Sequence, residues 1–134
     1  MHKVITYGTF DTLHFGHISL LHRAKALGDY LVVGLSTDVF NATKGKQSHF
    51  PFAERKMYLE AIRFVDQVIP EESWDQKAQD IKNHDINTFT MGSDWVGHFD
   101  DLKKLCHVHY LERTPEISST LIKANISAPD SRSA

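Results

Sequence analysis

The chain has 134 residues, a formal net charge of −2 and one cysteine. This length suits one domain with its own core, and the near-neutral charge argues against a general nucleic-acid binder. One cysteine excludes a disulfide framework and indicates a reducing, cytoplasmic compartment. The first residues lead into a strand, and no stretch approaches the roughly 20 apolar residues of a membrane span. Neither a signal peptide nor a membrane partner is therefore predicted.

Short apolar, β-branched runs alternate with longer helical patterns along the chain. Strands are predicted over Val4–Tyr7, Tyr30–Leu35, Gln67–Ile69, Thr88–Met91 and Val108–Leu111. Helices are predicted over Ile18–Leu27, Phe52–Phe64, Trp74–His84, Asp100–Leu105 and Ser118–Asn125. Strands that are mostly apolar rather than alternating are typical of a parallel sheet covered on both faces. The alternation predicts an α/β fold, a single-domain, Rossmann-like doubly wound parallel sheet, over residues 1–126.

Two segments lack a periodic pattern. Asn41–Pro51 holds Lys44 and Lys46 and is predicted to be a mobile surface loop. Loops of this length in compact domains are more often functional than idle. The last residues, 127–134, are rich in Ser, Ala, Pro and Asp and are predicted to form a disordered tail.

The run Gly8–His17 is the most informative stretch, because it lies between the first predicted strand and the first predicted helix. Open α/β sheets bind ligands at this place, outside the carboxyl end of a strand. His14 and His17 are three residues apart, which can bring two imidazoles and a helix N-terminus against one phosphate. Two alternatives are ordinary helix-entry histidines and a metal site. No third ligand has a fitting spacing, so no metal ligand is predicted.

Four basic residues could add positive charge to such a site. Lys44 and Lys46 would face one side of an extended loop, over a triphosphate or simply over solvent. Arg55 could contact a phosphate or form a surface salt bridge with a neighbouring glutamate, which would contribute little. Lys77, taken alone, is a typical exposed helix lysine.

A second candidate anion site follows the last predicted strand. Arg113 precedes Ser118, Ser119 and Thr120, whose hydroxyls and backbone N–H groups open the last predicted helix. Ser118 could equally be a plain N-cap, and both roles are compatible. Asp94, after the fourth strand, could be an Asx-turn residue. Asp11 could orient a histidine, a lysine or a magnesium-bound water.

Thr9-Phe10-Asp11 and His14-Phe15-Gly16-His17 together resemble the HxGH nucleotidyltransferase superfamily. More of the chain, from about residue 3 to residue 123, resembles the glycerol-3-phosphate cytidylyltransferase family within it. The further matching residues are Ser36-Thr37-Asp38, Asn41, Lys44, Lys46, Glu54-Arg55-Lys56, Arg63, Val65-Asp66, Trp74, Lys77, Met91-Gly92, Asp94-Trp95, Arg113-Thr114 and Ile117-Ser118.

The resemblance implies a cytoplasmic homodimer that transfers CMP from CTP to glycerol 3-phosphate, with Mg²⁺ accompanying the triphosphate, for teichoic acid precursors. The catalytic residues that it implies are His14, His17, Lys44, Lys46, Arg55 and Arg113. It assigns the acceptor to Lys44, Arg55 and Lys77. It assigns the nucleotide to Thr9, Phe10, Asp11, His14, Phe15, Gly16, His17, Lys46, Asp94, Arg113, Thr114, Ile117, Ser118, Ser119 and Thr120.

One stretch departs from the family pattern. Pro115-Glu116 stands where the family has Glu-Gly, which adds a negative charge near the second anion site and removes a glycine. This departure keeps two alternatives open: the same reaction with ATP or with another phosphorylated acceptor, such as ribitol phosphate, phosphoethanolamine or a sugar phosphate. A third alternative is a nucleotide-binding regulatory module with little catalysis.

Overall fold

The computed structural model describes residues 1–112. Its five strands are β1 (Lys3–Gly8), β2 (Tyr30–Ser36), β3 (Gln67–Glu71), β4 (Thr88–Gly92) and β5 (His107–Leu111). Its four α-helices are α1 (Phe15–Lys25), α2 (Asp38–Thr43), α3 (Phe52–Glu60) and α4 (Lys77–Asn83). Short 3-10 helices span Trp74–Gln76, Ser93–Trp95 and Asp100–Lys104.

The strands form one parallel sheet in the order β3-β2-β1-β4-β5. The chain passes from β1 to β2 to β3 in one direction and then returns to the other side of β1. The connections therefore diverge between the carboxyl ends of β1 and β4, which creates the crevice where such sheets bind ligands.

Helices cover both faces of the sheet. On one face, Leu21 of α1 and Leu59 of α3 pack against the inward side chains of β1 and β2. On the other face, Ile81 of α4 packs against Ile5 and Phe89. The predicted doubly wound α/β fold is therefore confirmed.

The prediction for Asn41–Pro51 is wrong at its start, because residues 41–43 belong to α2. The side chain of Thr37 caps this helix by accepting a hydrogen bond from the Phe40 amide at 3.1 Å. Six residues are fewer than two helical turns, so α2 has no visible periodicity in the sequence. Residues 44–51 have no regular secondary structure.

Other predicted boundaries shift. The helix predicted over Phe52–Phe64 ends at Glu60, and the pattern Trp74–His84 divides into a 3-10 turn and α4. The pattern Asp100–Leu105 is a 3-10 helix rather than an α-helix. β3 runs two residues past its prediction, through Pro70, which an edge strand tolerates.

The predicted helix Ser118–Asn125 and the predicted tail lie outside the described residues. Within residues 1–112, none of the helices combines the length and the apolar character that crossing a membrane would require.

Candidate active site at the carboxyl edge of the sheet

The turn between β1 and α1 is tight. Phe10 and Thr12 have positive φ angles of 46° and 44°, a conformation that non-glycine residues rarely adopt and that clusters at functional sites. Phe10 is buried, and its ring meets the His17 ring edge-on, with centroids 5.7 Å apart. The buried ring of Phe10 thus fixes the conformation of the turn that precedes His14 and His17.

His14 and His17 cap α1 reciprocally. The Nδ1 atom of His14 accepts a hydrogen bond from the Gly16 amide at 3.0 Å. The backbone amide of His14 donates to Nδ1 of His17 at 3.3 Å. Because each Nδ1 is an acceptor, each neutral ring carries its proton on Nε2. The ring centroids are 4.1 Å apart, so two Nε2–H donors lie together at the N-terminus of α1.

Burial, the largest cause, and the nearby His14 together lower the pKa of His17 to about 4, whereas Asp11 opposes the shift. Burial also lowers the pKa of His14. Both imidazoles are therefore neutral at pH 7. They act as hydrogen-bond donors beside the positive end of a helix dipole, which suits an anion.

A cleft of about 380 Å³ opens at the carboxyl edge of the sheet. Three ammonium groups line it, from Lys44, Lys46 and Lys77, together with two carboxylates, from Asp11 and Glu71. This is an excess of one positive charge among the described lining residues. The cleft is thus suited to a negatively charged ligand.

Two of these lysines and two polar residues form one hydrogen-bonded chain. Lys44 donates to Ser36 Oγ at 3.2 Å, and Ser36 donates to Glu71 Oε1 at 3.0 Å. Lys77 forms an ion pair with Glu71 Oε2 at 2.6 Å. We call this group of Ser36, Lys44, Glu71 and Lys77 the lysine end of the cleft. We call the β1–α1 turn, with His14 and the cleft-lining His17, the histidine end.

Aromatic rings enclose the two ammonium groups of the lysine end. Trp74 lies 5.4 Å from Lys44 Nζ and 5.3 Å from Lys77 Nζ, measured to the ring centroid. Burial lowers the pKa of Lys44, and the charge of Glu71 opposes that shift. Lys77 is 4% exposed, so it is not the exposed helix lysine that its sequence context alone suggests.

Arg55 lies behind the cleft rather than on its lining. Its side chain is fully buried, and its guanidinium forms an ion pair with Asp38 at 2.7 Å. The alternative of a surface salt bridge to a neighbouring glutamate is therefore wrong. The guanidinium also donates to the backbone oxygens of Thr9, Ser36 and Phe50, at 3.0, 2.7 and 2.9 Å. Arg55 thus connects the β1 turn, the end of β2 and the loop before α3.

The carboxylate of Asp11 holds the same loop from the other side. It accepts hydrogen bonds from the backbone amides of His49 and Phe50. Asp38 accepts from the Phe52 amide and from Ser48, and the Phe52 amide together with Arg55 lowers the pKa of Asp38. Residues 44–51 are therefore anchored at two carboxylates, which places Lys44 and Lys46 over the cleft.

Some of the predicted residues in the described chain line the cleft, and others do not. Thr9, Phe10, Asp11, His17, Lys44, Lys46 and Lys77 line the cleft. His14, Phe15 and Asp94 are not among the lining residues; Phe15 is 63% exposed, and Asp94 is exposed on a 3-10 turn after β4. Gly16 contributes its amide to the His14 cap. Arg113, Thr114, Ile117, Ser118, Ser119 and Thr120 lie outside the described residues.

Sequence reasoning missed Glu71 and the aromatic lining residues Tyr7 and Phe99. Glu71 had a weak signal, because it is an acidic residue two positions after the predicted strand Gln67–Ile69. Tyr7 looked like an ordinary strand residue, although its hydroxyl donates to Asp80 at 2.8 Å and its ring faces Lys77. Within residues 1–112, no group of three or more His, Cys, Asp or Glu side chains is placed to hold a metal ion.

Comparisons with known proteins agree with this architecture. The model of the cytidylyltransferase-like family matches residues 5–125. A glycerol-3-phosphate cytidylyltransferase of Bacillus subtilis (strain 168) is 60% identical over 94% of this chain and 98% of its own length. The glycerol-3-phosphate cytidylyltransferase of Staphylococcus aureus (strain NCTC 8325 / PS 47) is 54% identical, over 98% of this chain and 100% of its own length.

A solved structure supports the fold as well. The crystal structure of a lipopolysaccharide core biosynthesis protein from Thermoplasma volcanium GSS1 aligns with a TM-score of 0.73 and 27% identity. The alignment covers 85% of this chain and 97% of that one. The parallel sheet with its flanking helices is thus shared along nearly the whole of that protein.

Proposed function

The chain belongs to the cytidylyltransferase-like family, and on that premise we propose that it transfers CMP from CTP to glycerol 3-phosphate. The products are CDP-glycerol and pyrophosphate. The observation that carries this proposal is the identity of 54–60% to two glycerol-3-phosphate cytidylyltransferases over nearly the full length of each. The positively charged cleft beside a histidine-capped helix supports it physically.

The proposed reaction is a direct, in-line displacement. A phosphate oxygen of glycerol 3-phosphate attacks the α-phosphorus of CTP, a new P–O bond forms, and the bond to the pyrophosphate leaving group breaks. The attacking phosphate is already anionic near neutral pH, so no general base is needed. Catalysis then consists of positioning the reactants and stabilising charge on the phosphoryl oxygens, as in related phosphoryl transfers.

The histidine end is proposed to hold the triphosphate. The Nε2–H groups of His14 and His17 would donate to phosphate oxygens whose charge changes in the transition state. Donors that are already oriented contribute on the order of 10²–10³ in rate each. The lowered pKa values of His14 and His17 keep both rings neutral. Neither ring therefore has to lose a proton before the next turnover.

The lysines are proposed to hold the two reacting phosphates near each other. Lys46 would lie over the triphosphate, and Lys44 and Lys77 would bind the phosphate of the acceptor. Their position on one cleft wall, around Ser36 and Glu71, supports this assignment. Arg55 would act as a positioning residue for Lys44 and Lys46, because its donors are used by protein acceptors.

Mg²⁺ is proposed to enter with the triphosphate, held mostly by phosphate oxygens and water. Asp11 and Glu71 are the carboxylates among the described lining residues, and so few protein ligands suit an ion held mostly by phosphate and water. When bound, it would neutralise negative charge on the β- and γ-phosphates. Arg113, Thr114, Ile117, Ser118, Ser119 and Thr120 are proposed to complete the nucleotide side.

The cellular setting is proposed from the family resemblance. A cytoplasmic homodimer would supply CDP-glycerol for teichoic acid synthesis in a cell wall. Sedimentation at several protein concentrations tests the dimer, and a monomer throughout would refute it.

The activity is tested with purified protein, CTP, Mg²⁺ and glycerol 3-phosphate, by measuring pyrophosphate release and CDP-glycerol. Parallel reactions replace CTP with ATP, and glycerol 3-phosphate with ribitol phosphate or phosphoethanolamine. We expect turnover with CTP and glycerol 3-phosphate to exceed that of every other pair. Turnover with ATP but not with CTP would refute the cytidylyl assignment. Tight binding of CTP without any turnover would indicate a regulatory module.

A further inference from the structure

The lysine end contains a buried carboxylate that phosphate binding does not explain. Glu71 is the last residue of β3, is 3% exposed and lines the cleft. A negative charge at this depth is unfavourable for an anionic ligand. It is retained beside two lysines that are proposed to bind the acceptor phosphate. Its presence therefore calls for a role other than anion binding.

The protein partners of Glu71 leave it room to accept further hydrogen bonds. Oε1 accepts from Ser36, and Oε2 accepts from Lys77. A carboxylate has about four lone-pair sites, so two protein donors leave acceptor capacity on both oxygens. The other carboxylate of the cleft, Asp11, is bound to loop amides at the histidine end.

The groups around Glu71 are poor acceptors. Lys44 and Lys77 only donate, and the wall beside them is formed by the rings of Tyr7, Trp74 and Phe99. The hydroxyl of Tyr7 is already directed at Asp80. A ligand with a phosphate at the lysines and hydroxyl groups on its carbon chain needs an acceptor close to those lysines. Among the described lining residues of the lysine end, Glu71 is the charged acceptor available.

We propose that Glu71 is a specificity-determining residue whose carboxylate accepts a hydrogen bond from a hydroxyl of the glycerol part of the acceptor. This inference rests on the proposed function and adds to it the group that recognises a polyol phosphate. Hydrogen bonds to a charged group contribute about 1.5–3 kcal/mol, which corresponds to roughly 10–150-fold in kcat/KM. An acceptor without hydroxyls leaves this carboxylate with one partner fewer and is selected against.

The first test uses the unaltered protein and two acceptors that differ only in hydroxyl groups. These are glycerol 3-phosphate and n-propyl phosphate, each assayed with CTP and Mg²⁺. We expect kcat/KM to be on the order of 10–100-fold higher for glycerol 3-phosphate. 3-Hydroxypropyl phosphate, which lacks only the middle hydroxyl, shows which hydroxyl is recognised.

The second test repeats both assays with Glu71→Gln and with a matched control, Lys77→Met. Glutamine keeps the shape of the side chain but removes the charge. We expect the preference for glycerol 3-phosphate over propyl phosphate to fall about tenfold in Glu71→Gln. Lys77→Met removes the partner of Glu71 instead, so it should slow both acceptors by similar factors and keep the preference. Glu71→Asp retains the charge but moves the carboxylate away from the ligand, because its side chain is one methylene shorter. It should show an intermediate preference, and it replaces Glu71→Gln if that variant does not fold.

Three outcomes would overturn the inference. Equal kcat/KM for the two acceptors in the unaltered protein would show that no hydroxyl is recognised. An equal loss for both acceptors in Glu71→Gln would show that the carboxylate only holds Lys77 in place. No nucleotidyl transfer to any acceptor would refute the proposed function, and this inference with it. The first two outcomes leave the proposed function intact.

Discussion

The two ends of the cleft are built in opposite ways. At the histidine end, His14 and His17 come from one short turn, and their hydrogen-bond partners are two or three residues away. At the lysine end, Ser36, Lys44, Glu71 and Lys77 come from β2, the end of α2, β3 and α4. The hydrogen bonds of the histidine end form as soon as α1 begins, because they join neighbouring residues. The lysine end forms only when four segments of the chain pack together.

The two ends also differ in charge. The two imidazoles of the histidine end are neutral at pH 7, since burial lowers the pKa of both. The lysine end holds a buried ion pair, with Glu71 3% and Lys77 4% exposed. Charges at such depth persist only when they are paired and hydrogen-bonded. Arg55 contacts both regions, through the backbone oxygens of Thr9 and Ser36, and so links them.

The largest expected effect on stability therefore comes from Arg55→Met. It removes a fully buried guanidinium, leaves three backbone oxygens without this donor and takes one of the donors of the half-exposed Asp38. A buried acceptor left without its donor costs about 1–3 kcal/mol, so three of them predict a loss of about 3 kcal/mol or more in the free energy of unfolding. Urea titration measures the loss.

The matched control for Arg55→Met is Lys25→Met, whose ion pair with Asp66 is about a quarter exposed on both sides. We expect this control to cost less than about 1 kcal/mol, as is typical of pairs near the surface. Similar losses for the two variants would contradict the view that Arg55 connects the two ends.

The largest expected effect on turnover comes from His17→Ala. It removes one oriented donor from the histidine end, so kcat should fall on the order of 10²–10³. The lysine end is untouched, so KM for glycerol 3-phosphate should change less than threefold, roughly 0.6 kcal/mol. Steady-state kinetics separate the two constants. A kcat within threefold of the unaltered enzyme would remove His17 from the proposed mechanism.

A smaller effect should appear in the pH dependence of stability. The pKa of His17 is lowered from 6.5 to about 4 in the folded protein. Between these values the unfolded chain binds more protons, so stability rises with pH across this window and is lost as pH falls. In His17→Gln this pH dependence should be shallower. Urea unfolding at pH 7, 6, 5 and 4 gives both curves, and parallel curves would mean that His17 does not titrate in this way.

The smallest expected effect is at Lys103, whose ion pair with Asp100 is 60% and 48% exposed on its two sides. Lys103→Met should change the free energy of unfolding by less than about 1 kcal/mol and leave turnover unchanged. The changes in stability and turnover of this variant are the baseline with which the variants at both ends of the cleft are compared. A larger loss would indicate that the exposed pair supports the 3-10 helix before β5.

The amino-acid sequence by itself determined the order of strands and helices and the identity of the histidine end. Apolar runs mark parallel strands, and a strand followed by His14 and His17 marks a helix start that can bind phosphate, because these signals lie within a few residues. α2 escaped prediction because six residues are too few for a period. Taken alone, Arg55 could form a surface salt bridge and Lys77 is a typical exposed helix lysine, so the sequence pattern did not predict the burial of either.

Only the tertiary structure decided which charges are buried and which groups they meet. Glu71 gains its place beside Lys77 because β3 ends next to β2 and α4 begins a few residues later. Arg55 is buried because three backbone oxygens from separate segments converge on it. Burial depends on packing between distant segments, and the pairing of charges depends on burial. The sequence pattern therefore predicts neither the burial of a charged side chain nor its partner.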